Sequence, residues 1–366
     1  MKKTLTQLII LSLFAGGGLH AQNQLFLEQL KLEVQKQKIP GAQVAVIKNK
    51  QVILRENFGY AEVAFGVPVG KSTIFSINSI AKVFAGTAIM QLVEQNKIDL
   101  NKPIGNYLDS LPKTWQKVTV RQLLSHTSGL PDIEDLENGG LIGGKGEAFA
   151  WEAVQNKPLQ FLAGEKFSYN ATNYLLVQRI IERYGELSYV DFLQKNQFDV
   201  AGVDHIVFGS SYDVVKNKTA TYSYYLKDKL TGEYVKGDML YEIMEEFSPI
   251  LRADAGAFAT IDDLTKWLIA LQSGKFISKE SMQQMWQPVP LNNGEFRGFG
   301  GFLNGYGYGW PVMRRASHSG VAPIGGGRAA LIVYPEDDLT IILLTNLTGS
   351  SPQKIIEKVS KYYFED

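Results

Sequence analysis

The stretch that decides the fold is residues 75–95, FSINSIAKVFAGTAIMQLVEQ. After Ser79 its apolar residues fall on every side of a helical wheel, which is typical of a buried helix. Lys82 is the only formally charged residue between Ser72 and Val93, and a lone ammonium in a core is costly unless it is paired or loses its proton. Because Lys82 follows Ser79 by three positions, both side chains leave the same face of the helix. The stretch therefore predicts a serine beside a lysine at the start of a buried helix.

This pairing has a chemical rationale. A serine hydroxyl is a weak nucleophile until a neighbour takes its proton, and a desolvated lysine can do so. A serine in the first helical turn also has free backbone amides beside it, which suit an oxyanion. The pattern S-x-x-K recurs at Ser110 and Ser351, where nearby prolines favour a turn and a helix cap. For Ser79 the alternative is an N-cap with a lysine that reaches out to solvent.

Composition limits the class of protein. The chain has 366 residues, with 45% apolar and 11% aromatic residues, which is enough for a large core and two subdomains. Its 37 basic and 37 acidic residues argue against nucleic acid as a partner. Because cysteine is absent, disulfides, thiolate metal sites and a thiol nucleophile are excluded. The histidines lack metal-ligand spacing, so we expect neither a metal nor another cofactor.

The N-terminus has the features of an export signal. Lys2 and Lys3 precede an apolar run over residues 8–15, and small residues follow up to Ala21. This pattern predicts a secretory signal peptide over residues 1–21, cut after Ala21. The apolar run is too short to span a bilayer. We therefore expect an exported protein, periplasmic or extracellular, with no membrane span once the signal is removed.

Strand and helix patterns divide the rest of the chain. The ends, residues 22–75 and 296–366, carry most of the strand patterns, whereas residues 76–295 are mostly helical. The fold class predicted is α+β, with an antiparallel sheet built from both chain ends, flanked by helices, and an inserted helical domain. Helices are predicted at 24–37, 120–124, 174–184, 189–196, 262–271, 279–286 and 352–363. Strands are predicted at 42–47, 52–58, 308–313, 328–334 and 339–345, with a further hairpin at 219–238.

Several motifs in a fixed order carry a resemblance to a known family. They are FSINSIAKVFAG from Phe75, VRQLLSHTSGLPD from Val120, AGEKFSYNATNYLLVQRIIER from Ala163, DAGAFATIDDLTKW from Asp254 and SHSG from Ser317. Over nearly the whole mature chain the sequence resembles the serine β-lactamase and penicillin-binding protein family, specifically the branch of class C β-lactamases, D-alanyl-D-alanine carboxypeptidases and related esterases. The resemblance implies a β-lactamase/transpeptidase-like fold with the site in the cleft between sheet and helical domain.

The resemblance also implies catalytic roles. Ser79 would be the nucleophile, Lys82 its partner, and Tyr169 a phenolate or proton relay at the start of a Y-x-N motif. The third position of that motif, normally an asparagine that binds the lysine and the substrate amide carbonyl, is Ala171. Asn170 is a candidate substrate contact from one side, with a turn or helix cap as its alternative use. Because the side chain of Ala171 cannot donate a hydrogen bond to a substrate carbonyl, short activated esters are expected to react more readily than β-lactams.

A third motif is implied at the end of the chain. His318, Ser319 and Gly320 stand where many relatives have K-T-G. By resemblance His318 would orient the substrate or assist proton transfer, Ser319 would bind an acid group, and the amide of Val321 would join that of Ser79 in an oxyanion hole. A strand-end turn is the alternative. Segments 133–147 and 219–238 are expected to form the pocket walls.

Two classes of function are open at this point. The first is a cofactor-free serine acyl hydrolase acting on a small molecule or a peptidoglycan-like peptide: a D-amino-acid peptide, a β-lactam or a carboxylic ester. The second is a non-catalytic ligand-binding relative, suggested by the missing asparagine. A Ser-His-Asp triad from Ser128, His126 and Asp132 can also be imagined, but that segment matches a structural part of the family. The intact serine, lysine, tyrosine and His318 favour the enzyme.

Overall fold

A computed structural model describes residues 3–135, 140–228 and 231–364, with side chains from residue 18 onward. Lys2 of the predicted signal and residues 136–139 and 229–230 of the predicted pocket walls lie outside the described residues. The strands are β1 Gly41–Lys48, β2 Gln51–Glu62, β3 Val67–Pro68, β4 Phe75–Ser76, β5 Val207–Phe208, β6 Tyr222–Lys227, β7 Tyr234–Glu242, β8 Ala257–Ala259, β9 Gly305–Tyr306, β10 Pro311–Met313, β11 Gly320–Val321, β12 Ile324–Gly325, β13 Ala329–Tyr334 and β14 Leu339–Thr345. The helices are α1 Lys3–Lys36, α2 Ala81–Glu94, α3 Val120–Leu124, α4 Glu147–Gln155, α5 Ala171–Gly185, α6 Tyr189–Leu193, α7 Asp199–Ala201, α8 Ile261–Gln272, α9 Lys279–Trp286 and α10 Pro352–Val359.

The main sheet is built from both ends of the chain. Its strand order is β3-β2-β1-β14-β13-β11-β10-β9, and β12 also pairs with β13. The first strand lies beside the last, with Ala42 opposite Thr345, and the described pairs are antiparallel. The predicted α+β class, with an antiparallel sheet from both chain ends and flanking helices, is therefore confirmed.

Both faces of this sheet are covered. Along β1, Ala45 and Ile47 face a core shared with α2, whereas Val44 and Val46 face a second core shared with α1 and α10. This alternation follows the two-residue period of a strand. Since both faces are buried, the strand carries hydrophobic residues in succession and does not alternate with polar ones.

Helix α1 is longer than the sequence predicted. It runs without interruption through Lys3–Lys36, so the predicted cleavage point after Ala21 lies inside it. Among its residues from 18 onward, Asn23 donates to the Ile53 carbonyl at 3.0 Å and Phe26 is buried in the second core. Within residues 3–135, 140–228 and 231–364, no helix has the length and hydropathy needed to cross a membrane.

The central helix α2 is buried as predicted. Every residue from Ala81 to Leu92 is withdrawn from solvent, and Phe84 packs edge-on against Trp267 with ring centroids 4.8 Å apart. The helix begins two residues later than Ser79, which lies in a preceding 3₁₀ turn, Asn78–Ile80. Asn78 has a φ of 41°, a left-handed conformation that an α-helix does not include, so the regular helix starts only after the turn.

Candidate active site

Ser79 is presented to solvent by a tightly held turn. Within residues 73–92, all of them described, Ser79 is the one residue that is not buried. The Ser76 hydroxyl donates to the Asn78 side-chain oxygen at 2.6 Å, which steadies the left-handed residue before the serine. Behind the turn, Gly325 packs so closely that a Cβ there would lie 1.9 Å from the Ile77 carbonyl oxygen. The backbone therefore fixes the direction in which the hydroxyl of Ser79 points.

Lys82 is buried directly behind Ser79. Its side chain is 1% exposed, and its Nζ donates to Ser79 Oγ at 3.3 Å. The other two contacts of the ammonium are with Asp254: Oδ1 of the carboxylate at 2.8 Å and the backbone carbonyl at 2.9 Å. The contacts with Ser79 Oγ and the Asp254 carbonyl are hydrogen bonds, and the contact with Asp254 Oδ1 is an ion pair. Of the two outcomes that the sequence allowed for this ammonium, the structure shows pairing.

Sequence reasoning missed Asp254. The residue lies 172 positions from Lys82, in the loop before β8, and its side chain is 7% exposed. It opens the DAGAFATIDDLTKW motif that carried the resemblance, so its position was noted without any role. Only the folded structure shows that this loop places a carboxylate against α2.

Tyr169 lies against the same lysine. Lys82 Nζ is 4.5 Å from the centre of its ring. Burial of the hydroxyl, together with the charge of Asp254, raises the pKa of Tyr169 well above its usual value, while a hydrogen bond with Ser79 acts in the opposite direction. The resting site therefore holds a neutral phenol. Of the two predicted roles for Tyr169, the proton relay is compatible with this environment and the phenolate is not.

His126 packs against Tyr169 and is not part of a triad. The centroids of the two rings are 4.3 Å apart, and His126 Nδ1 is 3.1 Å from the side-chain amide nitrogen of Asn173. Burial and then the charge of Lys82 hold the pKa of His126 well below its usual value, so the ring is neutral. The hydroxyl of Ser128 donates to the Asn173 side-chain oxygen at 2.6 Å. The imagined Ser-His-Asp triad is therefore not assembled.

Asn170 acts as a helix cap. Its side-chain oxygen accepts from the Asn173 amide at 3.1 Å, and its side-chain nitrogen donates to the Leu130 carbonyl. With both ends engaged and the residue 2% exposed, the side chain is not directed at a substrate. The predicted substrate contact is thus not supported, and the alternative cap role is the one observed. Ala171 opens α5, and its amide donates to Asp132 at 3.1 Å.

Two further carboxyls lie in the field of Lys82. Burial raises the pKa of Asp132. For Glu134, burial followed by the charges of Asp254 and Asp132 raises the pKa to about 8. Within the described parts of the chain, no hydrogen-bond donor contacts the half-buried Glu134 side chain. The surroundings of Ser79 therefore contain three carboxyl groups and one ammonium, an excess of acid that the sequence did not reveal.

The third motif lies elsewhere. His318 Nδ1 is 2.9 Å from Asp337, and its ring stacks on Phe364 at 3.8 Å. The hydroxyl of Ser319 donates to the Arg315 carbonyl at 2.7 Å. Within residues 18–135, 140–228 and 231–364, no hydrogen bond or ion pair joins either side chain to Ser79. The roles predicted for His318 and Ser319 stay predictions.

The register of the sheet fixes where Val321 lies relative to Gly325. Gly325, which packs behind the Ser79 turn, pairs with Ala329, whereas Val321 pairs with Val333. Four residues of strand correspond to about 13 Å. The oxyanion hole predicted from the amides of Val321 and Ser79 stays a prediction. Ser319, Gly320 and Val321 line an open cleft of about 1310 Å³ whose lining does not include Ser79.

The geometry thus defines a class: an S-x-x-K site with a buried, ion-paired lysine on an antiparallel α+β fold. The sequence profile of the family described as Beta-lactamase matches residues 25–359, and the chain belongs to this family. Among the described residues, no group of three or more histidine, aspartate or glutamate side chains is arranged to hold a metal ion.

Individual relatives agree with this assignment. The chain is 28% identical to penicillin-binding protein 4* of Bacillus subtilis over 83% of its own length and 67% of the relative. It is 24% identical to protein flp of Staphylococcus aureus over 90% of its length and 64% of the relative. The chain thus spans about two thirds of the length of these relatives. The D-amino acid amidase of Ochrobactrum anthropi has the same fold, with a TM-score of 0.78, 21% identity and coverage of 93% and 98% of the two chains.

Proposed function

We propose that this protein is a serine hydrolase that forms an acyl-enzyme on Ser79 from a small ester or amide. The observation that carries the proposal is the contact between the solvent-accessible Ser79 hydroxyl and the buried Lys82 ammonium, 3.3 Å apart. Proton transfer from the hydroxyl lets Oγ attack a carbonyl carbon, and the neutral phenol of Tyr169 is close enough to pass a proton to the leaving group. Water then releases the acid.

The acidic surroundings favour a substrate that carries a free amine. Glu134 has no hydrogen-bond donor of its own among the described residues, and it lies in the field of Asp254 and Lys82. A substrate ammonium would supply the missing positive charge and the missing donors. Crystals of the Ochrobactrum amidase contain D-phenylalanine and L-phenylalanine amide, so the fold accepts amino-acid ligands in that relative. We therefore propose amino-acid esters and amides as substrates, ahead of β-lactams.

Ser79→Ala tests the nucleophile. Removing the hydroxyl should lower kcat/KM at least about 10³-fold on every substrate of a panel of amino-acid esters, amino-acid amides and a chromogenic cephalosporin. Ser128→Ala is the matched control, because that serine lies in the same part of the protein but its hydroxyl is engaged by Asn173. An active Ser79→Ala variant beside an inactive Ser128→Ala variant would overturn the assignment. Tight binding without turnover by the unaltered protein would favour the non-catalytic alternative.

Glu134→Gln tests the substrate class. Losing a charge-assisted contact should lower kcat/KM about 10- to 100-fold for an ester with a free amine, but less than about threefold for its N-acetylated twin. Since the pKa of Glu134 is raised to about 8, its carboxyl gains charge as pH rises toward 8. In the free enzyme, kcat/KM for the amine substrate should therefore increase through this range, and the increase should be absent in Glu134→Gln.

The control for this comparison is Glu186→Gln, an exposed carboxylate at the end of α5. Its kcat/KM values should equal those of the unaltered protein for both substrates. If Glu134→Gln slows the amine and acetyl esters equally, Glu134 does not select the amine.

We also propose that the protein is exported, with residues 1–21 removed. The packing of α1 is compatible with this proposal, because Asn23 and Phe26, which contact the rest of the protein, lie beyond the proposed cleavage point and would be retained. Mass spectrometry of protein recovered from the periplasm or medium of an expressing bacterium should find Gln22 at the N-terminus. Retention in the cytoplasm with residues 1–21 intact would contradict export.

A further inference from the structure

The partner of Lys82 departs from the pattern that the family resemblance implies. That pattern has an asparagine side chain at the third position of Y-x-N in contact with the lysine, and Ala171 has no group to make the contact. In this protein the contact comes from another part of the chain. Asp254 gives Lys82 both a carboxylate oxygen, at 2.8 Å, and its backbone carbonyl, at 2.9 Å. A neutral amide partner of the lysine is thus replaced by a charged carboxylate.

This exchange changes what Lys82 is able to do. A protonated lysine has no free electron pair, so it cannot take a proton from Ser79. It becomes a base only after one of its own protons moves away. The closest acceptor is the Asp254 carboxylate, which is nearly excluded from water together with the lysine.

We propose that Asp254 is the proton acceptor behind Lys82, so that Ser79, Lys82 and Asp254 form a catalytic relay. This inference rests on the proposed function of Ser79. Asp254 touches neither substrate nor the reacting carbon, so it is a positioning residue that also stores a proton.

The proton balance of the relay is as follows. A proton first moves from Lys82 Nζ to Asp254 Oδ1. The neutral Lys82 then takes the Ser79 proton while Oγ bonds to the substrate carbonyl carbon. The π electrons of the carbonyl move to its oxygen. When the tetrahedral intermediate collapses, the bond to the leaving group breaks. The leaving group receives a proton from Lys82, directly or through Tyr169, and Lys82 recovers its proton from Asp254. No oxidant, reductant or cofactor is needed.

Other titratable groups face this relay and have to be separated from it. They are Tyr169, whose ring lies 4.5 Å from Lys82 Nζ, the neutral ring of His126, and the carboxyls of Asp132 and Glu134. In the part of the chain that the structure describes, none of these groups forms a hydrogen bond with Lys82 Nζ, which donates to Ser79 Oγ and the Asp254 carbonyl. The test therefore needs a variant that alters Asp254 alone and a measurement that counts protons.

Asp254→Asn keeps the shape of the side chain and removes its charge. The relay predicts a loss of about 10²-fold or more in the single-turnover rate of acylation, with KM little changed. Without a relay, a carboxylate beside an ammonium favours the charged form of the lysine and so makes it a poorer base. If Asp254 were only a structural partner, its removal would make Lys82 a better base, and acylation would be unchanged or faster at lower pH. Unchanged or faster acylation by Asp254→Asn would overturn the relay while leaving Ser79 as the nucleophile.

The matched control is Asp262→Asn. Asp262 lies in the same segment, is 18% exposed, and pairs with Arg55 at 3.0 Å, away from Lys82. The acylation rate of the Asp262→Asn variant should equal that of the unaltered protein. The double variant Lys82→Ala/Asp254→Ala should be no slower than Lys82→Ala alone, because Asp254 acts through the lysine. Additive losses would contradict the relay.

A proton inventory needs no variant, so it remains decisive if Asp254→Asn fails to fold. In mixtures of H₂O and D₂O, two protons in flight during acylation give a curved dependence of the single-turnover rate on deuterium fraction, and one proton gives a straight line. The relay predicts curvature, and a straight line would overturn it. Failure of the proposed function would look different, because Ser79→Ala would then remain active.

Discussion

The constraint on which the structure depends is the burial of one charged side chain in helix α2, whose residues from Ala81 to Leu92 are all buried. Removing an ammonium from water costs several kcal/mol unless its charge and hydrogen atoms are satisfied. Lys82 contacts Ser79 on the preceding turn, Asp254 on a distant loop and the ring of Tyr169. That requirement fixes the loop before β8 against the start of α2, and it fixes Lys82 within reach of the Ser79 hydroxyl. Stability and chemistry at this point have the same physical origin.

The sheet and the main helices were predictable because their signals are local. The continuous apolar wheel of α2, the period of α5, and the paired runs at β13 and β14 each lie within about fifteen residues. The antiparallel joining of β1 to β14 followed from strand patterns at both chain ends. The start of α2 was less well predicted, because the left-handed Asn78 shortens the helix and its hydrogen bond to Ser76 is not visible as a periodic pattern.

The site was likewise predictable only where its residues are close together in the sequence. Ser79 and Lys82 lie three positions apart, so helical geometry alone brings them together. Asp254 lies 172 residues from Lys82, and no spacing rule connects such positions. The sequence suggested Asp132 only as a triad member and Glu134 only as part of a pocket wall, and the fold is what places both in the field of Lys82. His318 is connected to Ser79 by the order of the motifs alone, which does not fix the strand register, so its predicted role stays a prediction.

The most direct test of the account is to ask which residue becomes covalently modified. The protein would be treated with a fluorophosphonate, which traps activated serine hydroxyls, and digested for peptide mapping by mass spectrometry. If the buried pair of Lys82 and Asp254 activates Ser79, one adduct should form, on the peptide that contains Ser79, and the Lys82→Ala variant should not form it. An adduct on Ser128, or equal labelling of Ser79 without Lys82, would contradict the account.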